Sequence, residues 1–304
     1  MTSPQLSFHL PTFSAEDPGG WDRLRSLALV ADEAGIDRVV CSDHVAFGEN
    51  LDAYGDPKSG GTVGGKQPTG PDGHWLDPFT VLSWVAGFTS NVRLGTNIMI
   101  AALRRPLVLA KELATLDVLS GGRVDLGVGV GWQREEYEAA GLPFDGRGRL
   151  LDHTLEVCQT LWRNDRASFE DEYVRFDGIH QMPKPIQPGG VPIWVSGRLN
   201  DNVLRRLATY GSAWIPWGED GADLATNVPR VKAAMVEAGR DDADALQVVG
   251  YLPMADGKLD VAATEPLVAA GVTDFRVSLK FTGEKAADLD LAGSLVESFA
   301  KAFR

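Results

Sequence analysis

The alternation of short apolar strands with longer helical runs, repeated eight times in 304 residues, restricts the fold of this sequence more than any other feature. Residues 5–10 alternate polar and apolar side chains, and residues 21–34 carry apolar side chains at helical spacing before Gly35. These two periodicities separate strands from helices, and glycine is a common helix end. The pattern predicts eight strands, each followed by a helix, at residues 5–10, 38–41, 91–100, 124–130, 192–195, 212–216, 246–252 and 273–279.

Eight strand–helix units in about 300 residues are the arithmetic of a (β/α)8 barrel, in which parallel strands close into a cylinder inside a ring of helices. The alternative is a doubly wound open sheet, which would need a topological switch point and a phosphate-binding fingerprint. The glycine-rich stretch 121–132 does not supply that fingerprint, because Trp132 takes the place of its third glycine. The sequence therefore predicts an α/β fold of the (β/α)8 TIM-barrel type.

Two irregular segments interrupt the alternation. Residues 46–77 follow the second strand and contain eight glycines and three prolines with almost no periodicity. A structureless run of that length is usually a functional lid or a disordered segment. Residues 164–192, between the fourth and fifth strands, are polar and proline-rich, with a short hairpin predicted near 173–176. We expect one domain over 1–304, with 46–77 and 164–192 as insertions.

Composition and charge exclude several classes of partner. A net charge of −13 disfavours nucleic acid and anionic membranes, because binding to phosphates needs a basic face. The apolar runs are too short for a transmembrane helix, and the first residues lack the basic and apolar regions of a signal peptide. Cys41 and Cys158 form no CxxC pair, which fits a reducing cytoplasm. A cytoplasmic enzyme that acts on a small molecule, without a bound metal, remains the expectation.

In such a barrel the active site forms at the carboxyl ends of the strands. His44, at the end of the second strand, is a candidate acid or base near neutral pH, although it could simply cap a loop. Asp43 beside it could orient the imidazole, bind a cofactor amide or cap a turn. Ser196, Gly197 and Arg198 precede a helix and resemble a phosphate seat, with an ordinary strand-to-helix turn as the alternative.

Alternate glycines strip one face of the fourth strand of its side chains. Two interpretations stay open: the face without side chains at Gly127, Gly129 and Gly131 (the glycine ledge) lies beside a ligand, or the strand packs closely against a neighbouring helix. Trp132 follows the ledge and could stack on a planar ligand or belong to the core.

Several short motifs occur in order along the chain. They are Ser42-Asp-His44, Leu94-Gly-Thr-Asn97, Arg105-Pro106, Ala110-Lys111, Ala114-Thr-Leu-Asp117, Leu119-Ser-Gly-Gly-Arg-Val124, Gly127-Val-Gly-Val-Gly-Trp132, Glu136-Tyr137, Gly141, Pro143-Phe144, Arg149 and Pro192-Ile-Trp-Val-Ser-Gly197. Together these motifs resemble the bacterial luciferase-like superfamily, and more closely its coenzyme F420-dependent oxidoreductase branch. The similarity is densest over 77–163.

This resemblance implies a (β/α)8 barrel, commonly a homodimer, with a flavin or 5-deazaflavin lying across the strand ends. It implies a cis peptide between Asn97 and Ile98, behind the central ring. His44 would stand over the reacting face, with Asp43 and Trp132 as the other catalytic candidates. The expected cofactor-binding residues are Asp43, Asn97, Ile98, Gly129, Val130, Gly131, Ser196, Gly197 and Arg198.

One position departs from the family's sugar-phosphate dehydrogenases, which carry an acid/base glutamate directly after the glycine ledge. Trp132 stands there instead, which favours a less polar substrate. The leading hypothesis is hydride transfer between coenzyme F420 and a small apolar or aromatic substrate, with His44 moving the proton. The alternatives are an FMN-dependent monooxygenase that uses O2, which is chemically exclusive of a deazaflavin, and a non-catalytic flavin- or deazaflavin-binding protein.

Overall fold

Eight parallel strands of four or five residues close into a barrel in the computed structural model, which describes residues 3–304. Each strand pairs with its neighbours in chain order, and the last closes on the first. The (β/α)8 prediction is therefore confirmed. The strands are β1 (Gln5–His9), β2 (Arg38–Cys41), β3 (Arg93–Thr96), β4 (Val124–Val128), β5 (Ile193–Gly197), β6 (Ala213–Pro216), β7 (Gln247–Tyr251) and β8 (Asp274–Val277).

Within residues 3–304, nine α-helices accompany the strands, and β4 is followed by two of them. Asp77 caps the second helix as its sequence predicts: its Oδ1 accepts the Thr80 N–H at 2.8 Å, and Pro78 occupies the first turn. Across the described chain, no helix is both long enough and apolar enough to cross a bilayer. The helices are α1 (Asp22–Ala34), α2 (Pro78–Ala86), α3 (Pro106–Ser120), α4 (Arg134–Ala139), α5 (Arg147–Arg163), α6 (Asp201–Tyr210), α7 (Leu224–Glu237), α8 (Val261–Ala270) and α9 (Lys285–Phe303).

The third strand is shorter than the 91–100 predicted from the sequence. After Thr96 the chain leaves the ladder, passes through the cis Asn97–Ile98 peptide and enters a 3-10 turn at Ala101–Leu103. Met99 and Ile100 are nevertheless buried. The apolar pattern continued past the strand because the irregular backbone there is also part of the core.

The segment 46–77 lies against the carboxyl ends of the strands and has little regular structure. His74–Trp75 pairs antiparallel with Phe13–Ser14, and the Trp75 ring stacks on Phe13 with centroids 4.3 Å apart. Two side chains from the barrel tie down its middle: Arg147 Nη2 donates to the Ser59 carbonyl at 2.8 Å, and Trp217 Nε1 to the Gly60 carbonyl at 3.1 Å.

The second irregular segment contains a hairpin that joins Ala167–Glu170 to Arg175–Ile179. This hairpin is longer than the short one predicted near 173–176, and those residues lie at its tip and in its second strand. Residues 179–187 then run beside α3, where Lys111 Nζ donates to the Met182 carbonyl and the Asp117 carboxylate accepts the Ile186 N–H.

A buried ion network fills the barrel near the amino ends of its strands. Arg38 Nε donates to Asp125 Oδ2 at 2.8 Å, and Arg38 Nη1 donates to the Asp274 carboxylate. Arg93 adds two contacts of 2.7 Å to the Asp125 carboxylate. Arg38 also lies over the Trp194 ring, 4.2 Å from its centroid. Features at this end of the fold serve stability rather than catalysis.

Candidate active site

A cavity of about 450 Å³ opens at the carboxyl ends of the strands, beneath the segment 46–77. This volume lies within the range of small-molecule and cofactor sites. All eleven candidate residues that the sequence singled out line it: Asp43, His44, Asn97, Ile98, Gly129, Val130, Gly131, Trp132, Ser196, Gly197 and Arg198. The structure thus brings the candidates together, while their individual roles stay predictions.

His44 is held at both ring nitrogens. Its Nδ1 lies 3.2 Å from Glu136 Oε2, and Trp132 Nε1 lies 3.3 Å from its Nε2. An indole N–H can only donate, so Nε2 accepts and Nδ1 carries the proton that is donated to Glu136. His44 therefore lines the cavity with a proton-accepting Nε2, whose lone pair is occupied by the Trp132 N–H in this structure.

Glu136 is the functional residue that sequence reasoning missed. Its side chain is fully buried, and its Oε1 accepts the N–H of Val45 at 2.6 Å. It therefore fixes both the His44 ring and the backbone that follows it. Glu136-Tyr137 is among the motifs that match the family, but nothing in the pattern assigned this glutamate a role, since three glutamates occur in α4.

Asp43 does not orient the imidazole. Its Oδ2 accepts the Ile100 N–H at 2.8 Å, and its two oxygens accept both terminal nitrogens of Arg104. Asp43 thus joins the chain after β3 to Arg104, and Glu136 makes the contact with the imidazole. Because Asp43 also lines the cavity, contact with a cofactor stays a prediction.

The alternate glycines serve two purposes. A Cβ on Gly127 would lie 2.0 Å from the Thr96 carbonyl oxygen, so this glycine permits close packing, against the neighbouring strand rather than a helix. A Cβ on Gly129 would lie 2.9 Å from Ile98 Cδ1, and Gly131 has a φ of +67° that favours glycine. Ile98 and Ile100 therefore pack directly on Gly129 and Gly131, and these four residues line one wall of the cavity at the cis Asn97–Ile98 peptide.

The carboxyl end of β5 meets the amino end of α6. Gly197 has a φ of +153°, and a Cβ there would lie 2.6 Å from Val203 Cγ2, so the turn is tight. Asn200 caps the helix by accepting the Val203 N–H at 3.1 Å. Arg198 is half-exposed and pairs with Glu219 at 3.2 Å. This arrangement of small residues, a helix N-terminus and a cation suits an anionic group.

Six aromatic side chains contribute to the lining of the cavity. Edge-to-face contacts join His44 to Trp75 at 5.0 Å and to Trp132 at 5.7 Å between ring centroids. No group of three or more His, Cys, Asp or Glu side chains within residues 3–304 could hold a metal ion. The aromatic residues of the lining are Phe13, Tyr54, Trp75, Trp132, Trp217 and Tyr251.

His9, at the end of β1, also lines the cavity. Its Nε2 lies 2.8 Å from Ser42 Oγ, which donates its own proton to the Asn97 carbonyl, so His9 donates to the serine. Burial, together with the nearby charge of Arg276, lowers the pKa of His9 to about 4. His9 is therefore neutral near pH 7.

The chain is similar to known proteins in sequence and in structure. The sequence profile of the luciferase-like monooxygenase family matches residues 6–290. An uncharacterised protein of Mycobacterium tuberculosis is 33% identical over 181 residues, which are 60% of this chain and 64% of that relative. The match thus spans slightly less than two thirds of the relative. An F420-dependent glucose-6-phosphate dehydrogenase of Rhodococcus hoagii is 29% identical over 289 residues, 91% of this chain and 75% of that enzyme.

Among solved structures, an F420-dependent secondary alcohol dehydrogenase in complex with an F420–acetone adduct superimposes with a TM-score of 0.74 and 17% identity, covering 98% of this chain and 99% of the other. The long-chain alkane monooxygenase LadA gives a TM-score of 0.73 at 13% identity, with 100% and 93% covered. At such identities these likenesses establish the fold alone.

Proposed function

The chain belongs to the luciferase-like monooxygenase family, and we propose that it is a coenzyme F420-dependent oxidoreductase. It transfers a hydride between the deazaflavin and a small, apolar or aromatic organic substrate. The observation that carries this proposal is the wall of Gly129, Gly131 and Ile98, which lines the same cavity as His44 with its proton-accepting Nε2. F420 is favoured over FMN because relatives named F420-dependent align over 72% and 91% of the chain at 30% and 29% identity. The monooxygenase LadA, at 13% identity, is similar in fold only.

The residues present fit a deazaflavin. Gly129 and Gly131 let Ile98 and Ile100 pack directly on the end of the strand, which keeps these two side chains back from the cavity and leaves room for a planar ring. Asn97, Ile98 and Val130 would bound that ring, with Asp43 at its edge. Ser196, Gly197 and Arg198 would hold the phosphate group at the N-terminus of α6. When bound, the deazaflavin supplies the hydride chemistry, and the protein supplies position and electrostatics.

The protein's part in the reaction is the movement of one proton. His44 Nε2 takes the proton of a substrate hydroxyl in the oxidising direction and returns it in the reducing direction. Glu136, which accepts the Nδ1 proton, stabilises the imidazolium formed in between. When the substrate oxygen binds at Nε2, it replaces the indole N–H of Trp132 as the partner of that nitrogen. The Trp132 ring remains part of the cavity wall.

The lining supports a substrate of low polarity. Trp132 takes the position where the family's sugar-phosphate dehydrogenases carry an acid/base glutamate, so we do not propose glucose 6-phosphate as the substrate. Six aromatic side chains line the cavity instead, and they suit an apolar or aromatic molecule. We also propose a single domain over 1–304, with 46–77 and 164–192 as insertions, located in the cytoplasm.

Titration with F420 and with FMN, followed by cofactor fluorescence, tests the proposal. We expect saturable binding of F420 and at least tenfold weaker binding of FMN.

Gly129→Ala should weaken F420 binding about tenfold, because its Cβ would push Ile98 into the place of the ring, and overpacking costs about 1–3 kcal/mol.

Gly293→Ala is the matched control for that variant, since a Cβ at this α9 position meets no heavy atom within 4 Å. It should bind F420 as the parent does. Tight FMN binding without F420 affinity would support the oxygen-using monooxygenase instead. Binding of neither cofactor would support a non-catalytic protein.

We further propose that the protein is a homodimer joined through α3. Apolar side chains are exposed along this helix and along the adjoining residues 179–186. The exposed residues are Leu107, Val108, Val118, Leu119, Ile179, Met182 and Ile186. Such a contiguous apolar surface is typical of a protein–protein contact.

Light scattering after gel filtration should give about twice the chain mass of 32.7 kDa for the parent. Leu119→Glu should shift the protein to the monomer mass, because Leu119 is 76% exposed and a buried charge there would be unpaired. Val236→Glu, on α7 at 63% exposure, is the control and should leave the mass unchanged. A monomeric parent, or equal masses for both variants, would contradict the proposal.

A further inference from the structure

A second, smaller chamber of about 110 Å³ lies beside the main cavity, on the side of β6, β7 and β8. The two spaces share five lining residues and are therefore neighbours with a common wall. The shared residues are Asn97, Ile98, Ser196, Trp217 and Tyr251. The volume exceeds that of one water molecule several times, so it admits a small chemical group.

Arg276, from β8, lines this chamber and has an unusual environment. The residue is 9% exposed, and its Nε is buried without a hydrogen-bond partner. Buried polar groups are nearly always hydrogen-bonded, and an isolated buried charge is costly. Burial lowers the pKa of the guanidinium, and the Asp274 carboxylate and Tyr251 phenol only partly offset this effect. An arginine keeps its proton even so.

The charges around Arg276 do not balance. Arg38, Arg93 and Arg276 contribute three positive charges, while Asp125 and Asp274 contribute at most two negative ones. Both carboxylates already face Arg38, and Asp125 also accepts two hydrogen bonds from Arg93. His9, the titratable ring near Arg276, is neutral. Asp37, which also acts on Arg38, is already paired with Arg304. Within residues 3–304, Arg276 is therefore left without an ion-pair partner, and it is the member that lines the chamber.

We propose that the chamber is a subsite for a carboxylate of the substrate, which the guanidinium of Arg276 binds by charge-assisted hydrogen bonds. A carboxylate matches the arginine in charge and hydrogen-bonding geometry. With the aromatic cavity next to it, the substrate class becomes an apolar or aromatic organic acid. Identifying the ligand as the substrate rests on the proposed function, whereas the binding of a carboxylate does not.

The test uses the parent protein without cofactor and two small probes, sodium acetate and acetamide, at constant ionic strength. Calorimetry or tryptophan fluorescence should show saturable binding of acetate and none of acetamide, which has the same shape without the charge. Arg276→Met should lower acetate affinity about tenfold or more, since hydrogen bonds to charged groups are the stronger ones. Arg166→Met, which removes one charge from a surface pair, should bind acetate like the parent.

Arg276→Lys serves if the methionine variant does not fold, because it keeps the charge but loses the planar donor set, and it should bind acetate more weakly than the parent. Equal acetate affinity in the parent and the Arg276 variant, equal binding of acetamide, or a crystal grown in acetate with only water in the chamber would overturn the subsite. F420 binding without acetate binding refutes the subsite alone, and acetate binding without F420 binding refutes the proposed function alone.

Discussion

Replacing His44 with alanine is expected to lower the turnover rate about 10²- to 10⁴-fold, the usual contribution of one positioned acid or base. His44 lines the cavity, its Nε2 is the nitrogen that can accept a proton, and Glu136 holds the ring through Nδ1 at 3.2 Å. The measurement is kcat with F420 and a secondary alcohol or ketone series, over a range of pH. F420 affinity should change little, because the imidazole is expected to act on the substrate proton.

Glu136→Gln is the companion variant, since it keeps the shape of the side chain and removes its charge. It should lower kcat less than His44→Ala and alter the pH profile, because it destabilises the imidazolium while leaving the base in place. Trp132→Phe keeps the aromatic wall without the indole N–H and should retain most of kcat. Parent-like turnover by the His44→Ala variant would remove the proton-transfer role.

The local periodicities were sufficient to predict the barrel. All eight strands and their helices occur where the alternation indicated, because strand and helix signals in this chain rarely overlap. The error at the third strand has a physical cause. Buried residues of the irregular turn after Thr96 are as apolar as a strand, so burial and strand geometry cannot be separated there.

The site residues could be selected because the fold brings the strand ends together, whatever their distance in sequence. Their partners could not be selected in the same way. Asp43 pairs with Arg104, 61 residues away, and His44 with Glu136, 92 residues away, and neither separation follows from a periodicity. Gly127 illustrates the same limit, since only the position of the Thr96 carbonyl distinguishes packing from ligand contact.

The buried environment of Arg276 could not be predicted for a related reason. Its strand is short and has an apolar pattern, and an arginine in such a strand usually reaches solvent at one end. Only the assembled barrel reveals that its neighbours are already paired with other charges.

Replacing Asp125 with asparagine is expected to destabilise the fold by about 3–5 kcal/mol, the usual cost of removing one partner from a buried ion pair. Asp125 is 4% exposed and accepts hydrogen bonds from both Arg38 and Arg93, so its loss leaves Arg93 without a carboxylate and Arg38 with Asp274 alone. Urea denaturation at neutral pH measures the free energy of unfolding. Asp145→Asn is the matched control, because the exposed Asp145–Arg134 pair contributes at most about 1 kcal/mol.

The same carboxylate predicts a pH dependence. Burial opposes ionisation of Asp125, but the charges of Arg38 and Arg93 outweigh it and hold its pKa below the usual 3.8. A carboxyl whose pKa is lower in the folded state stabilises the protein above the unfolded value and loses this contribution as the pH falls through the folded value. The stability difference between the parent and Asp125→Asn should therefore be constant near neutral pH and shrink below about pH 4. A difference under about 1 kcal/mol at pH 7 would mean that the network relaxes or admits water, and that the barrel does not depend on this carboxylate.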